Sequence, residues 1–138
     1  MPTAKEVRKF LYDEGEKQRR KVLGDAHVDK ATSKSISDFA RAGQELATEA
    51  AWGTLWPRTG ITYKQRSFVT VTILSTLGKQ QELAAHVKGA LNNGVTEEEL
   101  KEIFLQVMIY TGVPNGMGIF RTADEAIQAW KAEHPTGK

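Results

Sequence analysis

The chain contains no cysteine. That excludes disulfides, thiolate catalysis, dithiol redox cycling and cysteine-ligated zinc. It also lacks an excess of charge of either sign: 19 Lys and Arg stand against 17 Asp and Glu, a net charge of +2. So small a surplus argues against a protein that grips nucleic acid through a charged face. No run approaches the roughly 18 apolar residues of a membrane-spanning helix. The opening MPTAKEVRKFLYDEGEKQRRK has no apolar stretch of the secretory kind. The three histidines, His27, His86 and His134, show no H-x-x-x-H or similar spacing, so no metal site is expected. There is no internal repeat and no low-complexity tract. These absences predict a soluble cytoplasmic protein with no nucleic-acid, membrane or metal partner. The basic cluster Lys17-Gln18-Arg19-Arg20-Lys21, beside Asp13, Glu14 and Glu16, reads as a solvated helix face.

What is present is ordinary globular material, 40% hydrophobic and 26% charged over 138 residues. That length suits one domain, spanning residues 1–138, with a core large enough to fold. The periodicity is helical nearly throughout. Residues 4–22 carry Val7, Phe10, Leu11 and Val22 on one side; the stripe weakens at Glu14-Gly15, which marks a peripheral helix. Residues 23–34 read as a polar connection. The core then runs over residues 35–132. Its first helix repeats Ile36, Phe39, Ala40, Gly43, Leu46, Ala47 and Ala50 at threes and fours, after a cap at Ser33 or Ser35.

Residues 52–61, WGTLWPRTGI, break the period and read as a loop packed down by its tryptophans. Thr62 and Gln65 form a capping box. The helix behind it, SFVTVTILSTLG, is apolar almost all round and reads as a buried central helix. Residues 80–92 place Leu83, His86, Val87, Ala90 and Leu91 on one face, ending at Asn93-Gly94. A second capping box, Thr96 and Glu99, restarts a helix with Leu100, Ile103, Phe104, Val107, Met108 and Thr111 together. Gly112-Val113-Pro114 separates it from a last helix with Ile119, Phe120, Ala123, Ile127 and Trp130, and the tail HPTGK is expected to fray. The predicted architecture is an all-α bundle of about six helices.

Several residues carry two readings. His86 is either a core histidine satisfied by a backbone carbonyl or a general acid/base tuned by its surroundings. His27, between Asp25 and Asp29, is an exposed loop residue or one that folds over a site or a neighbouring subunit. Glu49 lies near a helix C-terminus, where a carboxylate is mildly unfavourable; it is solvated, or an arginine or imidazole partners it. Arg58 and Arg66 bracket the tryptophan segment and would hold a substrate carboxylate by paired hydrogen bonds, or serve as surface ion-pair partners.

The strings VLGDAHVDKA, AWGTLWPRTGIT, QRSFVTVTILSTLGKQQELAAHVKGALNNGVTEEELKEIFLQVMIYTGVP and FRTADEA resemble the carboxymuconolactone decarboxylase family. That family shares the all-helical fold of alkyl hydroperoxidase D-like proteins. The peroxidase branch carries C-x-x-C before its histidine; those positions are Lys79 and Glu82 here, and its relay glutamate is Ser67, which excludes peroxidase chemistry. The resemblance implies cofactor-free loss of CO2 from 4-carboxymuconolactone in aromatic catabolism. It implies that His86 acts as acid/base with Glu49 orienting it. Arg58 and Arg66 would hold the substrate, and Trp52, Trp56 and His27 would wall out water. It also implies a homo-trimer or homo-hexamer. The chain departs from the family pattern at Ala50, Pro57 and Asn115-Gly116, next to the expected pocket. Those departures motivate two alternatives: a lyase or isomerase for a different small acid, and a non-enzymatic binding member of the fold.

Overall fold

A computed structural model describes residues 1–137. Among them are seven α-helices, one π-helix and no strand, as the periodicity requires. Among the described residues no helix is long and apolar enough to cross a membrane. The chain groups into two units, Met1–Ile61 and Thr62–Lys138.

The first unit comprises α1 (Ala4–Leu23), α2 (Asp25–Ala31), α3 (Asp38–Ala47) and the π-helix, π1 (Thr48–Leu55). Thr3 and Glu6 close a capping box at the start of α1. Gly24, at a φ of 87°, turns the chain directly into α2. The polar connection expected at 23–34 therefore contains a helix, and its Val28 is fully buried. The expected α1 stripe is only half buried: Val22 is enclosed, but Val7 and Phe10 are exposed. The tight contact of α1 is made by a glycine instead. A β-carbon on Gly15 would overlap the Thr48 carbonyl, and one on Gly53 would overlap the Leu11 carbonyl. Two backbones thus meet where neither carries a side chain. The apolar stripe of α3 is not core either; no residue of that helix is buried, and Phe39 and Leu46 stand exposed.

The second unit comprises α4 (Tyr63–Thr76), α5 (Gln80–Asn92), α6 (Glu97–Thr111) and α7 (Val113–Glu133). Both predicted capping boxes form, Thr62 with Gln65 and Thr96 with Glu99. Gly78, Gly94 and Gly112 take positive φ at the three junctions. The core unites Val71, Leu83, Val87, Ala90, Leu100, Phe104, Ile119, Ala123 and Ile127, with Phe104 edge-on to Phe120 at 6.2 Å.

One expectation is corrected. The buried stripe of α4 is Ser67, Val71 and Ser75, at spacings of four, whereas Val69, Ile73 and Leu77 are about half exposed or more. Small residues let the neighbouring helices approach, and the bulkier ones turn outward. The β-branched run is helical behind its capping box, and its hydroxyls are satisfied one turn back, Thr72 on the Phe68 carbonyl and Thr76 on that of Thr72, both at 2.7 Å. In the tail expected to fray, the His134 ring stacks on Trp130 at 4.3 Å; Lys138 lies outside the described residues.

Candidate active site

The segment read as a tryptophan loop is π1. Its wider ladder shows in the Trp56 N–H donating to the Ala51 carbonyl, five residues back, at 2.9 Å. The Thr54 hydroxyl donates across the same five-residue span to the Glu49 carbonyl at 3.0 Å. π-Turns are uncommon and recur at functional sites. This one places Trp52 and Trp56 in a parallel stack, centroids 4.9 Å apart, with only 5% and 3% of their surfaces exposed. The expectation of a packed-down pair holds, although the local structure differs. Arg58 follows two residues later and is exposed.

Glu49 lies in the first turn of π1, where its side chain is 14% exposed. The Arg8 guanidinium of α1 donates to both of its oxygens, Nε at 3.1 Å and Nη2 at 3.5 Å. An arginine therefore does satisfy this carboxylate, and it comes from 41 residues away. Arg8 itself is 63% exposed, so the pair holds a largely enclosed acid to a solvated cation.

His27 sits exposed on α2. Its flanking acids are engaged: Asp25 and Asp29 both receive Arg20 Nη1, at 3.2 and 2.8 Å, while Glu16 takes Nη2 at 2.9 Å. These bonds to Glu16, Asp29 and Asp25 raise the Arg20 pKa. The G-D-A-H-V-D string is in large part a structural clamp, with a left-handed glycine, a buried valine and two aspartates on one arginine.

The solvated reading of the basic cluster holds for Lys17 and Lys21, which are exposed, but not for the neighbouring Arg19, which is only 8% exposed. Its Nη1 donates to Gln44 Oε1 at 2.8 Å and reaches Thr48 Oγ1 at 3.5 Å. Gly15, Arg19 and Val22 are the buried residues of α1. Their spacing of four and three was the available signal for Arg19, once Gly15 is seen as a point of contact rather than a break.

In the second unit His86 occupies the edge of the buried face of α5, half-buried beside Leu83, Val87 and Ala90, which are enclosed. Arg66 lies half-buried in the second turn of α4, the helix that packs on α5. Ser67 is buried, and its hydroxyl accepts from the Asn93 amide at 2.9 Å. The departure at Asn115-Gly116 has a packing reason. Asn115 Nδ2 donates to the Ser75 carbonyl at 3.2 Å and to Thr111 Oγ1 at 2.8 Å. A β-carbon on Gly116 would run into the Met108 side chain. The predicted set thus divides as Glu49, Trp52, Trp56, Arg58 and His27 in the first unit and Arg66 and His86 in the second.

Comparison with known proteins bears on what such a set does. The model of the carboxymuconolactone decarboxylase family matches residues 42–125. A nitrosuccinic acid decarboxylase of Metarhizium robertsii is 44% identical over 113 residues, 82% of this chain and 78% of that protein. A 4-carboxymuconolactone decarboxylase of Acinetobacter baylyi is 36% identical over 117 residues, 85% of this chain and 87% of that one. A protein of the same name from Pseudomonas putida is 50% identical over 45 residues, 33% of this chain and 92% of that sequence.

Proposed function

The chain belongs to the carboxymuconolactone decarboxylase family and is a carboxy-lyase acting on a small carboxylated molecule, and from that premise we propose that its substrate is a dicarboxylic acid bearing its own electron sink. One observation carries the reading. The two relatives that span most of the chain are named for different acids, nitrosuccinic acid and 4-carboxymuconolactone. What those acids share is a carboxylate whose departing electron pair passes into a nitro group or a conjugated lactone carbonyl. Nitrosuccinic acid is the first substrate of this reading, because that relative is 44% identical against 36% over a similar span. The lactone is the second.

The reaction then asks three things of the protein. The C–C bond to the leaving carboxylate breaks, CO2 departs, and the pair becomes a nitronate or dienolate. Fixed donors stabilise the developing oxyanion; Arg66 and Arg58 have that role. A proton must then reach the carbanionic carbon. His86 delivers it, since an imidazole can both take and give a proton and this ring stands at the edge of the core. Glu49, enclosed and charge-paired, is the second acid/base group. The stacked Trp52 and Trp56, with His27, keep water from the carbanion.

The same reading has the chain self-associate. Val69 and Ile73 on α4, Leu77 at its C-cap, and Ile109, Val113 and Met117 on α6 and α7 leave large apolar side chains half exposed or more, the kind of surface that a partner copy covers. A second copy, in a trimer or hexamer, covers them.

The test is CO2 release from nitrosuccinic acid and from 4-carboxymuconolactone, without added cofactor, by the wild type, His86→Ala and Glu49→Gln. Turnover of the nitro acid is expected, with each substitution lowering it by about 10²-fold. Faster turnover of the lactone would reverse the order of the two readings. Turnover of neither acid would overturn the substrate class. Full activity in a folded His86→Ala protein would remove His86 from the chemistry.

A further inference from the structure

Arg19 and Arg20 are adjacent in sequence and opposite in circumstance. Arg20, 29% exposed at its side chain, binds three carboxylates. Arg19, 8% exposed, binds none among the described residues. Its contacts are neutral: the Gln44 amide oxygen and the Thr48 hydroxyl, both on Nη1. The Thr48 hydroxyl is itself spent as a donor to the Gln44 carbonyl at 2.7 Å. Arg19 Nε is enclosed with no acceptor among the described residues. Burial lowers the guanidinium pKa, and the group that offsets this is the Tyr12 phenol, not a carboxylate. The side chain stays a cation near neutrality all the same.

An enclosed cation without a counter-charge is among the more costly arrangements a fold can hold, because its hydration is lost and nothing replaces it. If Arg19 only joined helices, an uncharged residue of similar length would do so without that cost. Seventeen acidic residues are available in this chain, and the fold commits three of them to the half-buried neighbour. The distribution of acids between the two arginines is therefore selective. Arg19 also lies where function concentrates. Thr48 opens π1 and precedes Glu49, and Thr48 and Trp52 are the two buried residues of that helix.

We infer that Arg19 is the anchor for the carboxylate that a dicarboxylic substrate keeps. The inference rests on the dicarboxylate reading above and adds to it a residue that neither the periodicity nor the family resemblance singled out. The retained group is the right partner on energetic grounds. A guanidinium held on the leaving carboxylate stabilises the ground state that must be lost, so it opposes reaction, whereas binding the spectator carboxylate lowers substrate and transition state alike. Nε and an Nη of one arginine also form the two-pronged donor that matches a carboxylate.

The probe is succinate, which binds without reacting, against its monomethyl ester, which has one carboxylate fewer. Affinities are read from Trp52 and Trp56 fluorescence in the wild type, Arg19→Gln and Arg19→Lys. The wild type is expected to prefer succinate by roughly 10- to 100-fold, the value of a hydrogen-bonded charge. Arg19→Gln should bring that ratio close to one, with ester affinity little changed. Arg19→Lys, which keeps charge but not the fork, should retain part of the ratio, and it decides the matter if the glutamine variant does not fold. A merely structural role would weaken both ligands equally and leave the ratio intact, which overturns the inference. Failure of succinate to bind overturns it too. So does a changed solution mass in the variant with an unchanged ratio, since the anion would then belong to a second copy. If both acids fail to turn over while the ratio depends on Arg19, the decarboxylation reading alone falls. If turnover is normal and Arg19→Gln leaves KM unchanged, the Arg19 assignment alone falls.

Discussion

Alanine in place of Gly15 should lower stability, although helix propensity argues the other way. Glycine inside a helix is about 1 kcal/mol worse than alanine, from backbone entropy and lost burial. On α1 alone the substitution would therefore stabilise. The structure reverses the sign. The new methyl would overlap the Thr48 carbonyl oxygen and lie 2.8 Å from the Gly53 amide nitrogen. These are backbone atoms, and no rotamer change relieves them; α1 and π1 must separate. Overpacking costs about 1–3 kcal/mol even where side chains can adjust, and a rigid seam belongs at or above the upper end. After the propensity gain is subtracted, about 2 kcal/mol of net loss remains, or roughly 5–10 °C in Tm for a chain of this size. Gly43 of α3 is the control, because a β-carbon there meets nothing within 4 Å. Gly43→Ala should raise stability by about 0.5–1 kcal/mol. Both variants are followed by far-ultraviolet circular dichroism against temperature, with tryptophan fluorescence reporting on π1. A Gly15→Ala protein that melts at or above the wild type would refute the backbone-to-backbone seam.

Two further outcomes follow from the second unit. Glu99 caps α6 by accepting the Thr96 N–H at 2.9 Å, and it also pairs with Lys64 at 3.0 Å; the backbone bond first, then the lysine, holds its pKa below the usual 4.5. A carboxylate with a depressed folded pKa stabilises above its unfolded pKa and loses that effect as pH falls through the folded value. Glu99→Gln keeps the box but cannot titrate, so its Tm should lie below wild type at neutral pH and converge on it below about pH 4.5. A gap that stays constant with pH would contradict this. For self-association, light scattering should return a mass above the 15.3 kDa of one chain, and Ile73→Glu with Ile109→Glu should reduce it; a wild type that scatters as a monomer removes the oligomer.

Much of this architecture is legible in the amino-acid sequence. The capping boxes at Thr62 and Thr96, the glycine stops at Gly94 and Gly112, and Pro114 in the first turn of α7 appear where spacing places them. Each depends on groups three or four residues apart, and such contacts form whatever the rest of the chain does. The spacing likewise puts His86 on the apolar face of α5, although the structure sets it at the edge of that face, half-buried. Burial is read less well. The apolar run of α4 suggests a helix enclosed on all sides, yet its enclosed stripe is Ser-Val-Ser. Hydrophobicity reports that a surface prefers cover, not which neighbour is present to give it. The α3 stripe misleads in the same way.

The order of amino acids suffices to give the helical class, the points where most helices begin and end, the absence of thiol chemistry and the family motifs. Those properties follow from short-range hydrogen bonds, side-chain period and composition. Packing in three dimensions is what sets residues 48–55 in a π-helix, makes Gly15 and Gly53 points of contact, brings Arg8 to Glu49, and buries Arg19 without an acid among the described residues while Arg20 takes three. The contacts behind these features link residues far apart in sequence or, for the two arginines, turn on which side of one helix meets another element. Neither local propensity nor net charge encodes that choice, because it is made by the packing of one backbone against another.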